Sequence, residues 1–166
     1  SSAPSVDDQI SALSNPSLLS EIHLSAAVKR DTSSESSAYS ATCIVDTAAG
    51  GSYLLVRDLS ECESLDLNST DPLSISLADG TVTHVRHCVS CAIAVFASDG
   101  VELASDYQWC KLRVLVCSFE SFEGQYKVLA GRELIDRWGL VLYGVRRGFI
   151  NGRCVYRNDA LSDDPA

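Results

Sequence analysis

Short runs of apolar residues, bounded by small and polar ones, succeed one another along the chain and predict a fold made mostly of β-strands. Residues 22–28 read as a first strand, followed by the polar connection 31–37. Cys43-Ile44-Val45 and Tyr53-Leu54-Leu55-Val56 are continuous apolar runs separated by small residues, and an acidic linker is expected over 58–71. Residues 73–96 are rich in β-branched and apolar side chains, broken at Asp79-Gly80. A turn pair between two strand-like runs predicts a hairpin. The more polar stretch 97–108 reads as an inserted surface loop, after which Leu112, Val114 and Val116 alternate with Lys111, Arg113 and Leu115 as in a strand with a buried face. The spacing then changes. Leu134, Ile135 and Trp138 share one side of a helix over 131–138, which Gly139 ends. Ile150-Asn151-Gly152-Arg153 predicts a second hairpin, between strands 145–150 and 153–156. Residues 1–20 are Ser-rich and expected to form a flexible leader, with a brief helix begun by Asn15-Pro16. Residues 21–157 form the domain proper and 158–166 a polar tail.

The 166 residues suit one domain with a sizeable core, and 46% hydrophobic with 21% charged residues place it among globular chains. No apolar run approaches the ~20 residues of a membrane-spanning helix and no signal peptide opens the chain, so an intracellular, cytoplasmic protein without a membrane partner is expected. A net charge of -9 opposes binding to a phosphate backbone, which excludes nucleic acid from the expected partners. The chain contains no Met, which leads us to expect a segment of a longer protein. Seven cysteines, an odd number without paired spacing, suit a reducing compartment; Cys43, Cys110, Cys117 and Cys154 stand among apolar neighbours as small core residues. His84, His87, Cys88 and Cys91 have the residue types of a metal site, but residues three apart on a strand face opposite ways and no second pair lies at zinc spacing. Neither a metal nor another cofactor is expected.

The candidate chemistry centres on Asp46-Thr47-Ala48-Ala49, which follows Cys43-Ile44-Val45 and precedes Gly50-Gly51-Ser52. An apolar strand there delivers one carboxylate into a turn of small residues. Leu77-Ala78-Asp79-Gly80 comes next, and then Val128-Leu129-Ala130-Gly131-Arg132-Glu133-Leu134-Ile135. In this order the three segments resemble the retropepsins, the single-domain aspartic proteases of retroviruses and long-terminal-repeat retrotransposons, over residues 22–143. The family pattern is an apolar strand, Asp-Thr/Ser-Gly-Ala, a flap hairpin, and a Gly-Arg motif before a short final helix. The resemblance implies a closed acid-protease β-barrel with a flap hairpin and one short C-terminal helix.

It also implies roles for individual residues. Asp46 would be catalytic, with Thr47 holding two catalytic loops together. Ala48, Ala49, Leu77, Ala78, Asp79, Gly80, Leu129 and Ala130 would bind substrate, with Gly131 and Arg132 as structural residues beside the site. Two departures stand out: Ala48 replaces the usual Gly, and Gly50 the Asp that many viral members pair with the motif Arg. Arg132 must then find another partner, such as Asp58, Glu133 or a carbonyl.

Water-mediated peptide hydrolysis needs a base and an acid, and two carboxyls sharing one proton can divide the work. At about 3 Å separation and an effective dielectric near 20, two ionised carboxylates repel by roughly 5 kcal/mol, about 4 pKa units, so one stays protonated. Aspartic proteases are the standard example of this coupling. The sequence has one such motif, so two copies of Asp46 must meet in a homodimer. The expectation is an aspartic endopeptidase acting on peptides, processing its parent retrotransposon-type polyprotein in the cytoplasm or within virus-like particles. The alternative is a catalytically inactive retropepsin-like module for dimerisation or peptide binding.

Overall fold

The computed structural model describes residues 6–10 and 21–158. Among these, eleven strands, one α-helix and one 3-10 turn follow in the order β1 (Val6–Ile10), β2 (Ile22–Lys29), β3 (Ala38–Val45), β4 (Tyr53–Val56), the 3-10 turn Leu59–Cys62, β5 (Asp66–Leu77), β6 (Val82–Val95), β7 (Gln108–Val116), β8 (Tyr126–Ala130), α1 (Arg132–Trp138), β9 (Val141–Tyr143), β10 (Arg147–Ile150) and β11 (Arg153–Arg157). The fold is therefore mostly β.

Six strands close a barrel. Neighbours run β6-β2-β3-β8-β4-β7, and β7 pairs again with β6. Closure removes the free edges on which strands of different molecules would otherwise pair. β6 serves two structures, because its first half pairs with β5 in a hairpin and its second half pairs with β2 and β7 in the barrel.

The topology around β8 places the candidate site. β8 lies between β3 and β4, parallel to the first and antiparallel to the second, so the connection 46–52 must pass over the end of β8. β4 is buried at all four positions because both of its faces are covered. Leu54 and Val56 point into the main core, whereas Tyr53 and Leu55 join Ala49, Ile75, Val85, Leu115 and Leu129 in a second cluster roofed by the β5–β6 hairpin. Burying each such aliphatic side chain stabilises the fold by about 1.5–3 kcal/mol. Helix α1 buries Leu134 and Trp138 in the main core, which also receives Ile150, Val155 and Tyr156 from the separate sheet β9–β11. Gly139 ends the helix in the left-handed conformation, its N–H bonded to the carbonyls of Asp136 and Ile135.

Two expectations about the connecting segments are corrected. Val6–Ile10, inside the supposed flexible leader, form a strand parallel to β5; the hydrogen-bonding edge of β5 supplies order that the leader's own composition does not announce. The supposed acidic linker is structured too. Asp58 caps the 3-10 turn by accepting from Ser60 N, and Glu61 reaches back to the N–H groups of Arg57 and Asp58. β5 then starts at Asp66, exposed through Pro72 and irregular in register between Ser69 and Leu73. Pro72 has no N–H to give a ladder. The loop 97–108 is anchored, since Ser105 Oγ accepts from Val95 N and Ala97 and Ala104 are buried. The second hairpin forms with Asn151 and Gly152 both at positive φ, although its first strand begins at Arg147 rather than residue 145. The helix expected at Asn15-Pro16 and the tail beyond Asn158 lie outside the described residues.

Candidate active site

Asp46 is the first residue beyond β3, and its own N–H donates to Ala130 O at 2.9 Å, the last bond of the β3–β8 ladder. The chain then turns tightly. Ala49 N donates to Asp46 O at 3.3 Å, and Ala48 N donates to the carboxylate Oδ1 at 2.9 Å. This is the local turn that a short acidic side chain makes with the backbone two residues on. The Asp46 side chain is thereby held in one orientation while the residue as a whole is only 4% exposed. Thr47 and Ala48 at the tip are exposed, and Ala49 is fully buried.

A cage of backbone and side-chain bonds clamps this loop to the β8–α1 junction. Arg132 N donates to Ala49 O at 2.8 Å and Glu133 N to Gly50 O at 3.2 Å. The first N–H groups of a helix have no partner within it, and here loop carbonyls take them in place of a capping side chain. Arg132 Nη1 donates to Thr47 O at 2.8 Å, so the partner it finds is a carbonyl of the candidate loop. Ser52 Oγ, buried, accepts from Gly131 N at 3.0 Å. Gly131 permits all of this. A Cβ at that position would stand 2.0 Å from Gly51 O and 2.6 Å from Ala49 O, which no side chain tolerates.

Ala48 poses no backbone problem. Among the described residues Asn151 is the one non-glycine with positive φ, so Ala48 carries no left-handed strain and differs from glycine there by an exposed methyl group.

The β5–β6 hairpin supplies the second element. Its turn is closed by Gly80 N donating to Leu77 O at 2.9 Å and Leu77 N to Thr81 O at 2.8 Å, with Gly80 at φ +89. Asp79 Oδ1 accepts from Thr81 N and Thr81 Oγ1. Those bonds, the hydroxyl's first, hold the exposed Asp79 carboxyl below its ordinary value of 3.8. Leu73, Ile75, Leu77 and Val85 at the base pack in the cluster that contains Ala49 and Leu129, while Ala78, Asp79 and Gly80 at the tip are exposed. The structure thus brings Asp46, Thr47, Ala48, Gly131 and Arg132 together, with the hairpin rooted on the same cluster.

One group of expected site residues needs correction. Ala49, Leu129 and Ala130 are each 0% exposed and offer a ligand no surface in this structure. Strand β8 is covered on both faces, so Leu129 and Ala130 support the loop from below rather than line an opening. Ser52 is the residue that sequence reasoning missed. A lone Ser between Gly51 and four apolar residues was its signal, since a hydroxyl at the mouth of a fully buried strand must find a partner. The Asp31-Thr32-Ser33 segment is loop as expected, with Asp31 Oδ1 accepting from Ser33 N and Ser36 Oγ. Among the described residues no group of three or more His, Cys, Asp or Glu could hold a metal ion, and no helix is long and apolar enough to cross a membrane.

Fold and site together define a closed six-stranded β-barrel that presents a buried, hydrogen-bonded aspartate in a clamped turn between two strands. Comparison with protein-family models, curated proteins and solved structures gives no match to the chain.

Proposed function

We propose that this chain is an aspartic endopeptidase of the retropepsin type, active as a homodimer in which two copies of Asp46 share one proton. The observation that carries the reading is the placement of Asp46: a buried carboxylate fixed by Ala48 N at 2.9 Å, in a loop whose exposed tip is tied down by Arg132. A general base must be held in one orientation and largely out of water to act on a bound water, and an interstrand loop tied by backbone and side-chain hydrogen bonds to β8 and α1 meets that need.

In this reading the ionised Asp46 takes a proton from water while its protonated partner donates to the scissile carbonyl, and the roles reverse as the tetrahedral intermediate collapses. The exposed Thr47 and Ala48 form the surface through which the two loops meet. The hairpin tip at Asp79-Gly80 closes over a peptide, excluding water from the reacting bond. The substrate class is an extended peptide segment, with the polyprotein that contains the domain as the natural source.

The test is incubation with a mixture of apolar-rich peptides between about pH 4 and 7, with and without pepstatin, beside Asp46→Asn. The Asn amide oxygen can still accept from Ala48 N, so the local turn is retained while the ionisable group is lost. Pepstatin-sensitive cleavage that vanishes in Asp46→Asn is the expected result. Equal cleavage by both proteins rejects the assignment. The exposed methyl of Ala48 in place of glycine is what favours a second reading, a module that holds peptides without cutting them; saturable peptide binding without cleavage supports that one.

A further inference from the structure

We propose that Cys91 and Cys110 are a thiol–disulfide site inside the barrel, converted by a peroxide into a cross-strand disulfide at the seam that closes it. Cys91 on β6 stands directly opposite Cys110 on β7. Directly opposed residues of antiparallel strands have Cα atoms about 4.5 or 5.5 Å apart, depending on the pair type, and both spacings lie inside the ~4.4–6.8 Å that disulfides span. The two sulfurs already lie 3.7 Å apart, pointing at one another within the core. To bond at about 2.0 Å the sulfurs must approach by a further ~1.7 Å, a movement that side-chain rotation supplies across strands at this register.

The surroundings divide the chemistry between the two thiols. Trp109 O accepts from Arg137 Nη1 at 2.7 Å, which sets a guanidinium beside the strand position next to Cys110. The hydrogen bond to Cys110, then burial, hold the Cys91 thiol above its ordinary value, whereas the bond from Cys91 lowers the Cys110 thiol against the opposing effect of burial, with the charge of Arg137 lowering it and that of Glu133 raising it. The Arg137 guanidinium, paired with Glu133 at 3.1 Å, lies beside the Cys110 strand rather than that of Cys91, and on that placement Cys110 is taken as the attacking sulfur and Cys91 as the resolving one. The Cys110 thiolate attacks one oxygen of hydrogen peroxide, breaking the O–O bond to leave a sulfenic acid and hydroxide, which is protonated to water. Cys91 sulfur then attacks the Cys110 sulfur; the S–S bond forms, the S–O bond breaks, and the departing hydroxide takes the Cys91 proton. Two thiols lose two electrons and two protons, and one peroxide becomes two waters.

The seam gives the bond a consequence. β6–β7 is the pairing that closes the barrel, and a covalent link across it limits how far the strands can part when the chain opens. The inference stands apart from the proteolytic reading, because neither cysteine belongs to the candidate site.

The test treats the folded 166-residue chain with hydrogen peroxide, followed by intact mass measurement, peptide mapping without reduction and thermal unfolding. Expected are a 2 Da mass loss, since two hydrogens leave, a peptide pair joining Cys91 to Cys110, and a Tm raised by roughly 6–12 °C and returned by dithiothreitol. Cys91→Ala and Cys110→Ala each abolish the linked pair, and the wild-type map decides the matter even where a variant folds poorly. A product linking other cysteines, stable oxygen addition at Cys110 without the 2 Da loss, or a folded chain still fully reduced when its half-buried Cys117 and Cys154 are oxidised overturns the proposal.

Discussion

Replacing Gly131 by Ala tests the clamp that holds the candidate loop. The added methyl carbon would lie 2.0 Å from Gly51 O, 2.6 Å from Ala49 O and 2.9 Å from Gly51 C, all backbone atoms that no side-chain rotation can withdraw. Either the loop 46–52 or the start of α1 must move. Inserting a methylene into packed structure costs about 1–3 kcal/mol, and a clash with backbone belongs at the top of that range. Movement also loosens the bonds from Gly131 N to Ser52 Oγ, Arg132 N to Ala49 O and Glu133 N to Gly50 O, each worth about 1 kcal/mol. A total near 3 kcal/mol or more corresponds to a fall in Tm of about 6–12 °C for a chain of this size. Thermal unfolding followed by circular dichroism measures it, with Gly139→Ala as the comparison. There a Cβ meets nothing within 4 Å and only the left-handed φ of +64 opposes the side chain, a cost of about 1–2 kcal/mol. If Gly131→Ala lowers Tm no more than Gly139→Ala does, the close approach of loop and helix is not a determinant of this fold.

Other outcomes follow from the same geometry. Arg132→Ala removes the bond to Thr47 O and should cost about 1 kcal/mol or less in stability, yet lower peptide cleavage at least tenfold by freeing the loop tip; parallel Tm and kcat/KM measurements separate the two effects. Thr81→Val removes the hydroxyl bond to Asp79, so the Asp79 carboxyl, observed by NMR, should titrate closer to 3.8 than in the parent chain. Because the folded pKa is lowered, the turn's contribution from Asp79 is present above the unfolded value and is lost as pH falls through the folded one; the Thr81→Val difference in stability should therefore shrink in acid below about pH 4. Specific activity should fall on dilution as dimers dissociate, with sedimentation run alongside, and a fully active monomer would contradict the shared-proton mechanism.

Much of this architecture is legible along the chain because its causes are local. The Asp79-Gly80 and Asn151-Gly152 turns need positive φ at specific positions, and Gly and Asn supply it. Helix α1 appears where apolar spacing changes, and Gly139 stops it. The turn at Asp46 is also local, since its carboxylate bonds a backbone N–H two residues away. Composition, in contrast, misjudged residues 6–10 and 66–72, which become strand by pairing of residues 6–10 with β5 and extension of the β5–β6 hairpin.

Most of the strands, the two hairpin turns, the single helix and the polar residue most exposed to chemical suspicion, Asp46, are readable from local pattern alone. Folding in three dimensions sets β8 between β3 and β4, brings Arg132 to Thr47 O and Gly131 N to Ser52, and puts Leu129 and Ala130 beneath the loop rather than before it. Separation along the chain explains this: the Gly131–Ser52 and Arg132–Thr47 bonds join residues 79 and 85 positions apart. Closing such long loops is entropically costly and is repaid by packing both faces of β4 and β8, a sum over many residues that no local pattern records.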